Sequence, residues 1–165
     1  MGDIVDIREL MEEAEMARKK SKNPKIEFMR RYIEAERRIP MKQERIQRQR
    51  QKLIPGAANI SGMPSGGKGK DIGDAIGEIL LMIERNEADI RRMRRDQEQI
   101  LDAIERVPES DMRALLEGRY LNGWKWEKIA EYIHCDTSTA WRLHGAALKM
   151  LELPAEYSEK NAAAG

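Results

Sequence analysis

Hydrophobic positions between Asp71 and Val107 recur with a strict four-three spacing: Ile72, Ile76, Ile79, Ile83, Ile90, Met93, Ile100, Ile104 and Val107. Asn86 and Gln97 occupy the two places where the repeat would call for another apolar residue. A seam of about five heptads predicts a coiled-coil-like helix, roughly 50 Å long at ~1.5 Å per residue. Pro108 should end it, and Ser110 or Asp111 is placed to cap a further helix over Met112 to Leu121. An earlier run, Phe28, Tyr32, Ala35, Ile39, Ile46 and Leu53, keeps the same spacing with Lys42 and Gln49 in its vacant positions. Pro40 falls inside that run and should kink the helix or restart it. The two predicted arms, 24–54 and 71–108, can pair in two ways. They fold back antiparallel within one chain, or the same seam joins copies into a homo-oligomer. The polar Asn86 and Gln97 would specify register in either arrangement.

Flanking these arms are segments of a different kind. Apolar residues at Ile4, Ile7, Leu10, Met11, Ala14 and Ala17 predict an amphipathic N-terminal helix within 1–23, ending near Ser21-Lys-Asn-Pro24. Residues 55–70 are rich in Gly, Pro and Ser and are read as a flexible loop. Gly62 to Lys68 matches the first seven positions of a phosphate-binding P-loop. Gly69 stands where the magnesium-holding hydroxyl should follow, and no buried strand precedes the loop, so nucleotide binding is not expected. The last residues, 154–165, are expected to be a disordered tail.

The segment 109–153 reads as a helix-turn-helix. Ile129, Ala130 and Ile133 share one face of a first helix, because positions three and four apart are neighbours. His134-Cys135-Asp136 forms a short turn, and Asp136, Thr137 or Ser138 can cap the helix that follows. That second helix repeats an apolar face at Ala140, Leu143, Ala147, Leu148 and Leu151. Two short helices joined in this way commonly offer one of them to a DNA major groove. A helical hairpin with no DNA role is the plainer alternative.

Composition narrows the class. Only 5% of the 165 residues are aromatic and 36% are charged, which suits helices with narrow apolar stripes rather than a sheet-based core. The expected fold is all-α: a long antiparallel helical hairpin followed by a helix-turn-helix domain. A lone cysteine, Cys135, and an N-terminus without the pattern of a signal peptide indicate a cytoplasmic protein. The longest apolar cluster, Ile79 to Ile83, is too short to span a membrane.

Net charge is +1, but it is unevenly spread. Pro24 to Ile60 holds ten Lys/Arg against four Asp/Glu, Asp71 to Pro108 six against ten, and Glu109 to Leu153 six against seven. Opposite excesses on the two arms favour their pairing. The near-neutral helix-turn-helix gains little from phosphate neutralisation, so the basic arm, dimerisation or a protein partner would have to add affinity. The Gln/Arg-rich stretch from Gln43 to Lys52 itself reads as a solvated face.

No enzyme chemistry emerges. His134 and His144, the only histidines, do not form a metal cluster with one cysteine, and their spacing fits neither a zinc finger nor an HExxH site. Both read as ordinary polar residues of the turn and the second helix. No catalytic residue, metal or cofactor is expected.

The order of heptad helix, Gly62-Met-Pro-Ser-Gly66 loop, second heptad helix and Leu115-Leu-Glu-Gly-Arg-Tyr-Leu-Asn-Gly-Trp-Lys-Trp-Glu-Lys-Ile-Ala130 carries a resemblance. It resembles small phage and prophage proteins related to the ArpU/RinA-type late-gene transcriptional regulators. Their C-terminal half is similar to region 4 of the sigma-70 family. Arg119-Tyr120-Leu121, Trp126-Glu-x-Ile-Ala130 and Leu143-His-x-x-Ala-Leu148 are its most specific parts. The resemblance implies that the helix from Thr137 enters the major groove of double-stranded DNA. Thr137, Ser138, Trp141 and Arg142 would then face bases or nearby backbone. Lys125 and Lys128 would contact phosphates, and Trp126 would open the first helix and pack it against the preceding one. Host RNA polymerase is the second partner implied. His134 departs from the glycine usual at its position, though histidine tolerates positive φ better than most residues. Thr137, Ser138 and Trp141 replace arginines common on the sigma recognition helix. The function this resemblance implies is that of a sequence-specific DNA-binding phage or prophage regulator that activates late genes. The rival is a DNA-binding assembly protein of small-terminase type, although in those the helix-turn-helix usually precedes the oligomerisation helices.

Overall fold

The computed structural model describes residues 23–54 and 72–162, and every element in them is helical. In chain order these are α1 (Pro24–Lys52), α2 (Ile72–Glu105), α3 (Ser110–Leu116), a π-helical turn (Glu117–Leu121), α4 (Trp126–Tyr132), α5 (Thr137–Met150) and α6 (Ala155–Ala162). The all-α expectation holds. The helix expected over 1–23 (except Asn23) and the loop expected over 55–70 lie outside the described residues. Among the described residues, no helix is long and apolar enough to cross a membrane. The chain divides into two compact units, Glu34–Glu98 and the remainder from Met1–Ile33 with Gln99–Gly165.

Within Glu34–Glu98, α1 and α2 run antiparallel. Glu36 accepts from Gln97 Nε2 at 2.8 Å, Lys42 Nζ donates to Asp89 at 2.6 Å, and Arg50 reaches Glu87 at 2.7 Å. Rising numbers on one helix meet falling numbers on the other. Ala35, Ile39, Ile46, Ile83, Ile90 and Met93 form the apolar seam, flanked by Leu53 and Ile79. The heptad gaps supply a polar layer. Asn86 is buried, accepts from Lys42 Nζ at 3.1 Å and donates to the Met82 carbonyl at 2.8 Å. Lys42 thereby holds the Asp89 carboxyl below the usual carboxylate range, with Arg92 and Arg38 adding to the effect. A layer satisfied in one register leaves a buried amide unpaired in any other.

Of the two outcomes expected at Pro40, the restart does not occur, since helix α1 continues through it. Pro40 and Glu36 are both exposed, so the carbonyl that proline leaves unbonded can face water. Ile72 and Ile76 are not seam residues, being 71% and 43% exposed. The antiparallel register brings the end of α1, near Lys52 and Leu53, level with about Ile79. Nothing of α1 extends far enough to cover the first turns of α2.

The other unit packs both arm ends around the short helices. Asn23 Oδ1 accepts from Lys25 N at 3.0 Å, and Pro24 sits at the first helical position, where no N–H is needed. Phe28 and Met29 on α1 join Ile100, Ile104 and Val107, Leu115 and Leu116, Ile129, and Ala140, Ala147 and Leu148 in one core. Lys25 Nζ donates to the carbonyls of Leu148 and Lys149 at 2.7 and 3.2 Å, placing a cation at the C-terminal end of α5. The expected disordered tail is instead partly helical. Tyr157 on α6 is buried 5.1 Å from the Phe28 ring, with the Arg31 guanidinium 4.6 Å above it.

Neither Ser110 nor Asp111 caps α3. Glu109 holds the cap position without a side-chain hydrogen bond. Arg113 acts on the preceding turn, donating to the carbonyls of Val107 and Pro108 at 2.6 and 3.0 Å. The helix expected to continue to Leu121 loosens into the π-helical turn at Glu117.

Burial separates two isoleucines that the heptad pattern treats alike. Ile90→Asp, at a position 9% exposed, should destabilise the chain by several kcal/mol in urea unfolding. Ile72→Asp should stay within about ±0.5 kcal/mol. Equal effects at the two sites would refute the observed seam.

Candidate nucleic-acid interface

Helices α4 and α5 are joined by a turn whose backbone bonds form a Schellman motif. Cys135 N donates to Ala130 O at 2.9 Å and His134 N to Glu131 O at 3.2 Å. His134 takes the left-handed conformation this requires, with φ of 55°. Of the three capping residues expected, Asp136 does the work. Its carboxylate accepts from Thr139 N at 2.8 Å and from the hydroxyls of Ser138 and Thr139, each at 2.6 Å. Those hydroxyls and that amide hold the Asp136 carboxyl far below the usual carboxylate range. The turn therefore fixes where α5 starts.

Ile129 and Ala130 of α4 are buried and Ile133 half-buried, as their spacing predicts. On α5, Ala140, His144, Ala147 and Leu148 face inward, while Ser138, Trp141, Arg142, Gly145 and Lys149 are exposed. Thr137 is half-buried at the first position. Four predicted residues thus gather at the leading end of one helix. Two further exposed positions, Gly145 and Lys149, continue the same face at seven-residue steps from Ser138 and Arg142. Helix α5 contains Arg142 and Lys149 but no carboxylate.

Aromatic packing holds this face in shape. Trp141 is 53% exposed, yet its ring stacks on Trp126 with centroids 4.2 Å apart. Trp126 is itself set edge-on to His144 at 5.1 Å and lies 4.9 Å from the Arg119 guanidinium. Arg142 donates to Thr139 Oγ1 at 3.1 Å. Lys125 is exposed at the cap of α4, whereas the Lys128 ammonium lies 4.3 Å from the Trp124 ring centroid. Trp124 in turn rests on Gly118, where an added Cβ would come within 2.9 Å of the indole.

His144 is not the ordinary polar residue expected. It is buried, and its Nε2 shares a 2.9 Å hydrogen bond with the Tyr120 hydroxyl. Burial pushes the imidazole down to about 4, with the nearby Arg119 charge adding to the effect. Burial likewise pushes the Tyr120 phenol up to about 12. The signal was present in the spacing: His144 lies four residues after Ala140 and three before Ala147, on their inward face.

Residues 53–152 match a family model described as Protein of unknown function (DUF1492). The chain belongs to the DUF1492 family. The DUF1492 match takes in α2 through α5 and the exit from α5, whereas α1 and α6 lie outside it. No curated protein and no solved structure matches the chain.

The buried histidine gives the DUF1492 chain an acid sensitivity with a defined sign. Its folded value is lowered from 6.5 to about 4, so the unfolded chain takes up a proton first as pH falls. Stability should be fully present above about pH 6.5 and decline toward pH 4 by up to ~1.4 kcal/mol per unit. Urea unfolding across this range should show a steeper loss for the unmodified chain than for His144→Gln. Parallel pH profiles would contradict a neutral buried imidazole.

Proposed function

We propose that this protein is a sequence-specific, double-stranded-DNA-binding regulator of transcription that reads the major groove with α5. The observation that carries the reading is the division of α5. Its inner face is locked into the core after a capped turn, while its outer face presents Ser138, Trp141 and Arg142 with no competing carboxylate on the helix. The major groove admits an α-helix, and arginine can pair bidentately with the O6 and N7 of guanine. Arg142 takes that role. Thr137 and Ser138 bond bases or phosphates, and the outer face of Trp141 supplies apolar contact. Lys125 and Lys128 contact phosphates. The resemblance to ArpU/RinA-type regulators and sigma-70 region 4 supports the same docking and adds host RNA polymerase as a neighbour on the promoter.

The test is selection of duplexes from a randomised library by the full chain, followed by binding to the enriched sequence. Arg142→Ala should lose ~1–3 kcal/mol on that duplex and much less on random DNA. Lys125→Ala should weaken both alike and flatten the salt dependence. Absence of any enriched sequence at moderate salt, with RNA polymerase present or not, sinks the proposal.

A further inference from the structure

The outer face of α5 has its lowest point at Gly145. Ser138 and Gly145 lie seven residues apart along the middle of the exposed face, with Trp141 on one side and Arg142 on the other. A Cβ built on Gly145 meets no atom within 4 Å. Packing inside the protein therefore does not demand glycine here. Backbone conformation does not either, since Gly145 lies inside a regular helix and has no positive φ. Glycine in a helix interior weakens the helix relative to alanine. Gly77 inside α2 is equally open, so what sets Gly145 apart is its place on the exposed face of α5 between Trp141 and Arg142. On either side, Trp141 is held by its stack on Trp126 and Arg142 by its hydrogen bond to Thr139. The face thus has a fixed profile, bare helix backbone between two held side chains.

We propose that Gly145 is the point where DNA comes closest to α5. The helix backbone settles against base edges there while Trp141 and Arg142 straddle the contact. This inference rests on the DNA-reading proposal and names a residue that proposal leaves out. A methyl group at this point would lift the helix and pull Arg142 away from its base.

The test uses the full chain and the duplex enriched by the unmodified protein. Gly145→Ala should raise the melting temperature by a few degrees, through helix propensity alone. The same variant should bind the enriched duplex about tenfold more weakly, the loss of roughly one base contact. Gly145→Leu should bind more weakly still, with random duplex affected least. Unchanged affinity in both variants overturns the role of Gly145 while leaving the DNA proposal standing. A melting temperature lowered by Gly145→Ala also overturns it, since the glycine would then serve the fold. Failure of the unmodified chain to enrich any duplex removes both proposals together.

Discussion

The orientation of α5 depends on a polar bond inside an otherwise apolar core. Ala140, Ala147 and Leu148 could slide or rotate against the π-helical turn and α4 at modest cost, because apolar contact has little directionality. The Tyr120–His144 bond does not permit this. With both side chains buried, any rotation of α5 leaves two polar groups without partners, at ~1–3 kcal/mol each. The bond therefore sets which residues of α5 face outward. Trp126 passes the constraint on, being edge-on to His144 beneath and stacked with Trp141 above. One buried hydrogen bond thus helps determine the shape of an exposed surface.

A parallel device operates in Glu34–Glu98. Lys42 and Asn86 interrupt the isoleucine seam and, with Asp89 beside it, fix its register through matching donors and acceptors. Both units accept a polar group in the core and gain a single arrangement from it. In each, the polar residue replaces an apolar one at a position the helical repeat turns inward.

Local periodicity made much of this legible. The seam positions from Ile79 onward, the gaps at Lys42 and Asn86, the inner face of α5 and the Asp136 cap all depend on residues within a turn or two of each other. Expectations failed where a distant partner decides. Ile72 continues the heptad, but its exposure depends on where α1 ends. Tyr157 sits in a polar tail, and Phe28 and Arg31, far away in sequence, pack against it. His144 read as an ordinary polar residue because its partner lies 24 residues back, in a turn whose π-helical geometry the sequence does not announce. The resemblance placed Thr137, Ser138, Trp141 and Arg142 on one helix, and the structure gathers them there. It offered no sign that Lys128 would lie against Trp124 or that Gly145 would be the low point of the same face.

Charge and shape divide the proposed task between different parts of the chain. Segment 109–153 is close to neutral, with most of its carboxylates on α3, the π-helical turn and α4. Helix α5 alone has cations without acids, and the Asp136 carboxylate just before it is committed to the cap. Attraction to phosphate would then be weak and local, which limits non-specific binding and its loss with salt. In the proposed task, discrimination would come from close contact with base edges, where distance matters far more than net charge. A surface that relies on approach rather than attraction needs a rigid helix with a low centre. The Schellman turn, the Asp136 cap, the Tyr120–His144 bond and the Trp126–Trp141 stack supply the rigidity, and Gly145 supplies the low centre.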